Sequence, residues 1–349
     1  HPRDAVDPGE SYEVNFRINQ PASTSWYHSH TDMLTAEQVY AGVAGLFIVE
    51  DTSESSLGLP SSKRDIPLVI ADRRSNAQRQ FNYAPFMMDF MMGYLGDIAL
   101  VNGTPDAWLS VDNGLYRFRL LNGSNARVFR IALSDNHPFH IIGSDSGLLA
   151  EPIEATSAWL APGERTEILV DFSTYNSGSS VMLKSLPFFS NGGMMGGGMM
   201  GGSSQGIEMD LMRFYIDTEA NGANSVPDSL VSIPSLDPAD AKRTRVFNLS
   251  PAGMMLHSIN GLLWNIDRID FSVPWGELEI WEYRNISMQP HPMHMHAALF
   301  QVLERNGSQN IRPEDKGWKD TVLVDAGEIV RILVRFDSHP GVFVHHCLN

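Results

Sequence analysis

Short runs in which apolar and polar residues alternate dominate this chain. Residues 11–18, 115–120 and 277–283 change character at nearly every position. That is the period of a strand with one buried face. Residues 66–71 form an apolar run of strand length. The 29 glycines and 20 prolines punctuate these runs at short intervals, as in sandwiches and small barrels. Met87, Met88, Met91 and Met92 recur at helical spacing and predict a short buried helix. Two stretches break the pattern. Residues 191–206 are mostly Gly and Met and read as a flexible loop, while 217–244, rich in Pro, Asp, Ser and Ala, read as a linker.

The strands fall into an internal repeat. Pro8-Gly9-Glu10, Pro162-Gly163-Glu164 and Ala326-Gly327-Glu328 each open a patterned segment. Gly9 to His28 is 19 residues, and so is Gly327 to His346; the same count from Gly163 ends on Met182. A second echo pairs His137-Pro138-Phe139-His140 with His291-Pro292-Met293-His294. The expected organisation is a first β unit over 1–52, a second over 53–220, a linker over 221–244 and a third over 245–349. The outer units carry histidines and are expected to hold the chemistry, with the middle one as scaffold. The first is too short for a sandwich of roughly 100 residues and is expected to be incomplete.

Composition removes several function classes. Lys plus Arg is 25 and Asp plus Glu is 41, a net charge of −16 that repels phosphate backbones and argues against nucleic acid as a partner. Cys347 is the single cysteine, so an internal disulfide, a zinc finger and a thioredoxin-type dithiol are all excluded. No apolar run approaches a membrane span. No charged-then-apolar leader precedes His1, and composition does not reveal the compartment.

Seven of the twelve histidines fall in three windows: His28 and His30; His291, His294 and His296; His345 and His346. Residues two apart on a strand share a face, so His28 with His30, and His294 with His296, can address one centre. His291 precedes Pro292 and can address another. Cys347 follows His346, and strand neighbours face opposite ways, so the pair can serve two centres. A thiolate with imidazoles suits copper better than zinc. His137 and His140 lack a third histidine and are assigned to packing or the surface. His1, His257 and His339 are isolated. Asp32 and Glu37 could deliver protons near the first window, but the spacing selects neither.

At these residues the chain resembles a known family. Trp26-Tyr27-His28-Ser29-His30, His291-Pro292-Met293-His294-Met295-His296 and His346-Cys347 are similar to three of the four copper motifs of the multicopper oxidases, the laccase and cuprous-oxidase family. The resemblance extends to residues 41–46 and Val101-Asn102-Gly103. It implies an all-β chain of three tandem cupredoxin-like Greek-key sandwiches. His291 and Cys347 would bind a mononuclear type 1 copper. His294 would bind the type 2 copper, and His28, His30, His296 and His346 the type 3 pair. Cys347 and His346 would form the electron relay. The implied reaction couples one-electron oxidation of Cu(I) or small phenolic donors to four-electron reduction of O2 to water, in the periplasm or outside the cell. The alternative is a copper-poor structural or interaction relative.

The resemblance has gaps. The family's first motif, His-x-His-Gly, would lie upstream of His1, and Leu348 stands where a histidine is expected. The chain therefore reads as truncated at both ends and is expected, as written, to hold little copper. Met194, Met195, Met199 and Met200 sit among glycines that cannot bury them. They read either as soft thioether ligands for substrate Cu(I) or as a low-complexity insertion without a ligand.

Overall fold

The computed structural model describes residues 6–78, 80–189, 205–218, 225–253 and 256–348. Strands dominate it, arranged in five sheets. In the centre of the chain a seven-stranded sheet runs in the order Gly147–Ala155, Phe139–Ser144, Arg165–Asp171, Leu115–Asn122, Asp65–Arg73, Ile98–Val101, Thr104–Pro105. It shares a core with a five-stranded sheet of Ala158–Leu160, Phe129–Leu133, Ser179–Ser185, Met209–Thr218 and Ala107–Asp112. Toward the C-terminus a five-stranded sheet orders His257–Ile259, Arg243–Pro251, Leu278–Asn285, Ile329–Arg335 and Phe300–Arg305. Its three-stranded counterpart is Thr321–Val324, His291–Met295 and His345–Cys347. Among the described residues no helix is long and apolar enough to cross a membrane.

The repeat is visible in the pairing. Asp65–Arg73 lies parallel to Leu115–Asn122, as Arg243–Pro251 does to Leu278–Asn285, and each pair is extended by an antiparallel strand that follows the repeated turn. Gly163 and Gly327 stand in that turn at φ +76° and +75°, where a Cβ would be strained. Their amides donate to the carbonyls of Asn122 and Asn285 at 2.9 and 3.0 Å. The same two asparagines reach across with their side-chain amides: Asn122 to Arg127 and Leu160 at 2.7 and 2.8 Å, Asn285 to Gln289 and Val324 at 2.7 and 3.0 Å.

Alternation explains the central core. On Leu115–Asn122, Tyr116, Phe118 and Leu120 enter the sandwich, where Phe118 meets Phe214 at a ring separation of 5.0 Å. Arg117 and Arg119 point to the other face, yet both are buried. The short sheet of Ser23–His28 and Ala44–Val49 and the helix Thr52–Ser55 cover that face. Glu167 accepts from Arg117 Nε at 2.8 Å and from Thr24 Oγ1 at 2.6 Å, and Asp65 takes both ends of Arg119 at 2.8 Å.

Four expectations change. Residues 11–18 form no strand: Tyr12, Val14, Phe16 and Ile18 are exposed, and no described strand offers backbone partners to that alternation. The helix Met87–Met92 exists, but it is not a methionine core. Its one buried side chain is Asp89, clamped by Arg74 at 2.9 and 3.2 Å. The linker is shorter at both ends, because Met209–Thr218 runs into it and Arg243–Pro251 begins before its end. Finally, the His137–His140 echo is not a structural equivalence. Phe139–Ser144 holds the sheet position of Phe300–Arg305, while His291–Met295 matches Phe129–Leu133. His137 instead packs on Tyr175 at the surface.

Candidate metal centre

The three-stranded sheet separates two sets of donors. His291–Met295 is its middle strand, with Met293 opposite Cys347 and His294 opposite both His346 and Thr321. Directly opposed residues share a face and consecutive residues do not. His294 and His346 therefore emerge on one side, and Cys347 with His291 on the other.

On the first side the strand Ser23–His28 brings His28 and His30 to meet them. The strand ends at His28, so His30 arrives from the following turn rather than from the strand itself. His28 stacks on Trp26 at 4.3 Å, and its ring lies 5.5 Å from that of His30. Nε2 of His30 and Nε2 of His296 each lie 3.3 Å from Nε2 of His346. The His294 ring is 4.9 Å from that of His296 and 5.5 Å from that of His346. Backbone carbonyls fix three of these rings: Nδ1 of His28 meets Ser29 O at 2.7 Å, that of His294 meets Asp320 O at 2.9 Å, and that of His346 meets Cys347 O at 2.9 Å. A carbonyl can only accept, so each Nδ1 carries the proton and each Nε2 keeps its lone pair. Burial pushes His28 down to about 4 and His296 down to about 3, and His30 and His346 are also lowered by burial. These imidazoles are neutral at neutral pH, the form that binds metal.

The lone pair that His346 Nε2 keeps faces Nε2 of both His30 and His296, an arrangement that a shared cation would satisfy. Metal–imidazole bonds of about 2.0 Å at a tetrahedral angle place two ligand nitrogens about 3.3 Å apart, the separation found here. The ligand atoms of His30, His296 and His346 all lie within 4.8 Å of one another. On the opposite side Nδ1 of the buried His291 is 3.3 Å from Cys347 Sγ, and its Nε2 is held by Ser287 Oγ at 2.9 Å. Bonds of about 2.0 and 2.3 Å to one metal give a similar N···S distance. Several imidazoles on one face and a thiolate with an imidazole on the other fit copper.

Comparison with known proteins settles the family. Residues 1–54 and 235–349 match the multicopper oxidases. The McoA multicopper oxidase of the hyperthermophile Aquifex aeolicus superimposes with a TM-score of 0.88 at 35% identity, covering 99% of this chain and 77% of that one. The chain belongs to the multicopper oxidases. Among curated relatives, the Cell division protein FtsP of Xenorhabdus nematophila is 35% identical across 92% of this chain and 65% of its own length. The laccase of Bacillus subtilis is 31% identical across 94% and 68%. The chain thus spans about two thirds of the curated relatives it matches. Its all-β, cupredoxin-like sandwich architecture is that of the family.

Several residues of this multicopper oxidase were not visible as site residues in the sequence. His257, set aside as isolated, lies edge-on to His291 at 5.0 Å, brought there by pairing of His257–Ile259 with Arg243–Pro251. Asp320 and Thr321 brace His294 from the neighbouring strand, Thr321 Oγ1 at 3.1 Å from its Nδ1. His345 takes no part in either donor set. It is half-buried, packed against Phe247 and Trp281, with Tyr283 Oη at 2.9 Å. Leu348 continues the strand pairing through its amide to Pro292 O at 2.9 Å, and its side chain packs on Gly163, where a Cβ would sit 2.3 Å from its Cδ1. Met194, Met195, Met199 and Met200 lie outside the described residues.

Proposed function

We propose that the complete protein is a copper oxidase that takes electrons singly from Cu(I) or small phenolic donors and delivers four to O2, forming water. His291 and Cys347 would hold the mononuclear copper, His294 the type 2 copper, and His28, His30, His296 and His346 the type 3 pair. Copper, when bound, supplies the one-electron redox couple and the affinity for oxygen. The protein contributes placement. Cys347 and His346 are consecutive, so the two donor sets are joined by a single stretch of backbone. The hydrogen bond from His346 Nδ1 to Cys347 O at 2.9 Å adds a second link. Ser29, Cys347 and Asp320 carbonyls hold the rings of His28, His346 and His294 with Nε2 free to bind. By the same reading, the protein works in the periplasm or outside the cell, and Met194, Met195, Met199 and Met200 gather Cu(I).

The observation that carries this reading is the convergence of His30, His296 and His346 with Cys347 turned to the other face of one strand. The curated relatives named for cell division favour a second reading, in which the sandwich serves protein interaction and copper is absent or incidental. Copper per molecule and the visible spectrum of the full-length protein separate the two. A full complement of tightly held copper, an intense thiolate-to-Cu(II) absorption and oxygen consumption with a donor are expected. Copper-free protein that stays colourless after reconstitution would favour the structural reading.

A further inference from the structure

One buried guanidinium reaches the segments that support both halves of the histidine cluster. Arg165 opens the strand Arg165–Asp171 directly after the Gly163 turn and is 1% exposed. Its five N–H groups are all engaged. Nε donates to Thr24 O at 3.1 Å; Nη1 donates to Gly163 O at 2.6 Å and Asp320 Oδ1 at 2.8 Å; Nη2 donates to Asp145 O at 2.7 Å and Asp320 Oδ2 at 2.6 Å. Thr24 lies on the strand that ends at His28. Asp320 supplies the carbonyl that fixes Nδ1 of His294, and its Oδ1 also accepts from Thr321 Oγ1 at 2.8 Å. The planar fork thus joins four stretches: one carrying His28 and His30, one bracing His294, the Gly163 turn and the turn at Asp145.

We infer that Arg165 is a positioning residue of the copper cluster. It fixes the separation between the His28–His30 segment and the His294–His296–His346 sheet, and through Asp320 it aims Nε2 of His294 inward. Arginine suits the task because five donors in one rigid plane can serve four segments, whereas lysine offers a single mobile ammonium. Partners one shell out from metal ligands set affinity in this way, with losses of about 10–100-fold when they are removed. The inference rests on the reading that these histidines hold copper.

The test uses full-length protein, stripped of metal and titrated with copper alone. The variants are Arg165→Lys, Asp320→Asn and, as a matched control, Arg127→Lys. Arg127 is equally buried, with Nε to Asp72 at 2.9 Å, but Asp72 braces no histidine. Arg165→Lys is expected to weaken binding at the imidazole cluster by about 10–100-fold. The type 2 copper EPR signal should fall or change its hyperfine splitting, while the thiolate absorption at Cys347 is retained. Arg127→Lys should lower the melting temperature of the metal-free protein without altering copper content. Should Arg165→Lys not fold, Asp320→Asn decides, since it preserves the carbonyl to His294 but weakens the fork. Wild-type copper content and EPR signal in the folded Arg165 or Asp320 variants would overturn the inference. So would equal copper loss in the Arg127 control. Wild-type protein that binds no copper would instead overturn the functional reading beneath it.

Discussion

The central and C-terminal sandwiches place very different side chains on the same frame. Leu160 and Val324 each stand three residues before the turn glycine, and they pair with Phe129 and His291. Three residues further on, Ala132 pairs with Lys184 and His294 with His346; Ile131 pairs with Ser185 and Met293 with Cys347. By strand register, then, His291 replaces a fully buried Phe129, His294 replaces Ala132, and Cys347 replaces Ser185. The counterpart of His346 is Lys184, not Met182 as the count from Gly163 suggested, because the central connection is longer: 184 − 163 = 21 residues against 346 − 327 = 19. The fold does not require histidine or cysteine at these positions. The central copy, with Phe129, Ala132, Lys184 and Ser185 in those places, shows that the same frame forms without them.

The comparison is broken most completely by giving the C-terminal copy the residues of the central one. Cys347→Ser and His291→Phe should each abolish the thiolate-to-copper absorption of the full-length protein. The metal-free variants should remain folded, since the central sandwich is built with Ser185 and Phe129 in those places. An intact absorption band in Cys347→Ser would overturn the thiolate assignment.

A second contrast concerns one cross-strand ion pair with its signs exchanged. Arg119 opposes Glu167 in the central sheet, and Glu282 opposes Arg331 in the C-terminal one. The first pair is about 1% exposed on both sides, whereas Arg331 is 27% exposed. Removing one partner of a buried pair strands the other charge. Glu167→Gln takes from Arg117 and Arg119 one of the buried carboxylates they share, leaving Glu54 and Asp65 as their partners, and should cost about 3 kcal/mol. Glu282→Gln should cost no more than about 1 kcal/mol. Urea unfolding of both variants measures the difference, and equal costs would show that burial is not what distinguishes the two pairs.

The most local expected effect is a pH dependence centred on the histidine-bearing strands. Burial holds His28 near 4 and His296 and His345 near 3, against about 6.5 in the unfolded chain. As pH falls below about 6.5 the unfolded state takes up protons that the folded state refuses, so stability falls until those lower values are reached. In metal-free protein, hydrogen-exchange protection of His345–Cys347 should therefore drop between pH 7.5 and pH 5. Ser179–Ser185 should change less. Uniform loss in both strands would contradict a local origin.

How much was legible beforehand follows from what each residue depends on. His28, His291, His294, His296, His346 and Cys347 stand in short windows where two-residue periodicity assigns faces, whereas His30 reaches the same centre from the turn after its strand. His257, Asp320 and Arg165 depend on which strands become neighbours, and a lone histidine, an aspartate and an arginine carry no such information. The His137–His140 echo misled because similar residues sit on strands with different places in the sheet. The alternation of 11–18 is real, yet a strand also needs a partner, and the described chain supplies none.

The opposition of His346 and Cys347 has a consequence for chain length. Their strand contributes three residues, paired among the described residues with His291–Met295 alone, and the ladder is carried on by His296 N to Val344 O at 3.0 Å and Leu348 N to Pro292 O at 2.9 Å. Side-chain direction here is a matter of parity. One residue inserted between Phe343 and His345 would turn the thiol toward the imidazole trio and leave His291 facing a histidine. Two inserted residues would restore the original directions. Direction alone does not suffice, because two extra residues also carry Cys347 about 6–7 Å along the strand, away from His291, so this segment keeps its two donor sets in place only at its present length.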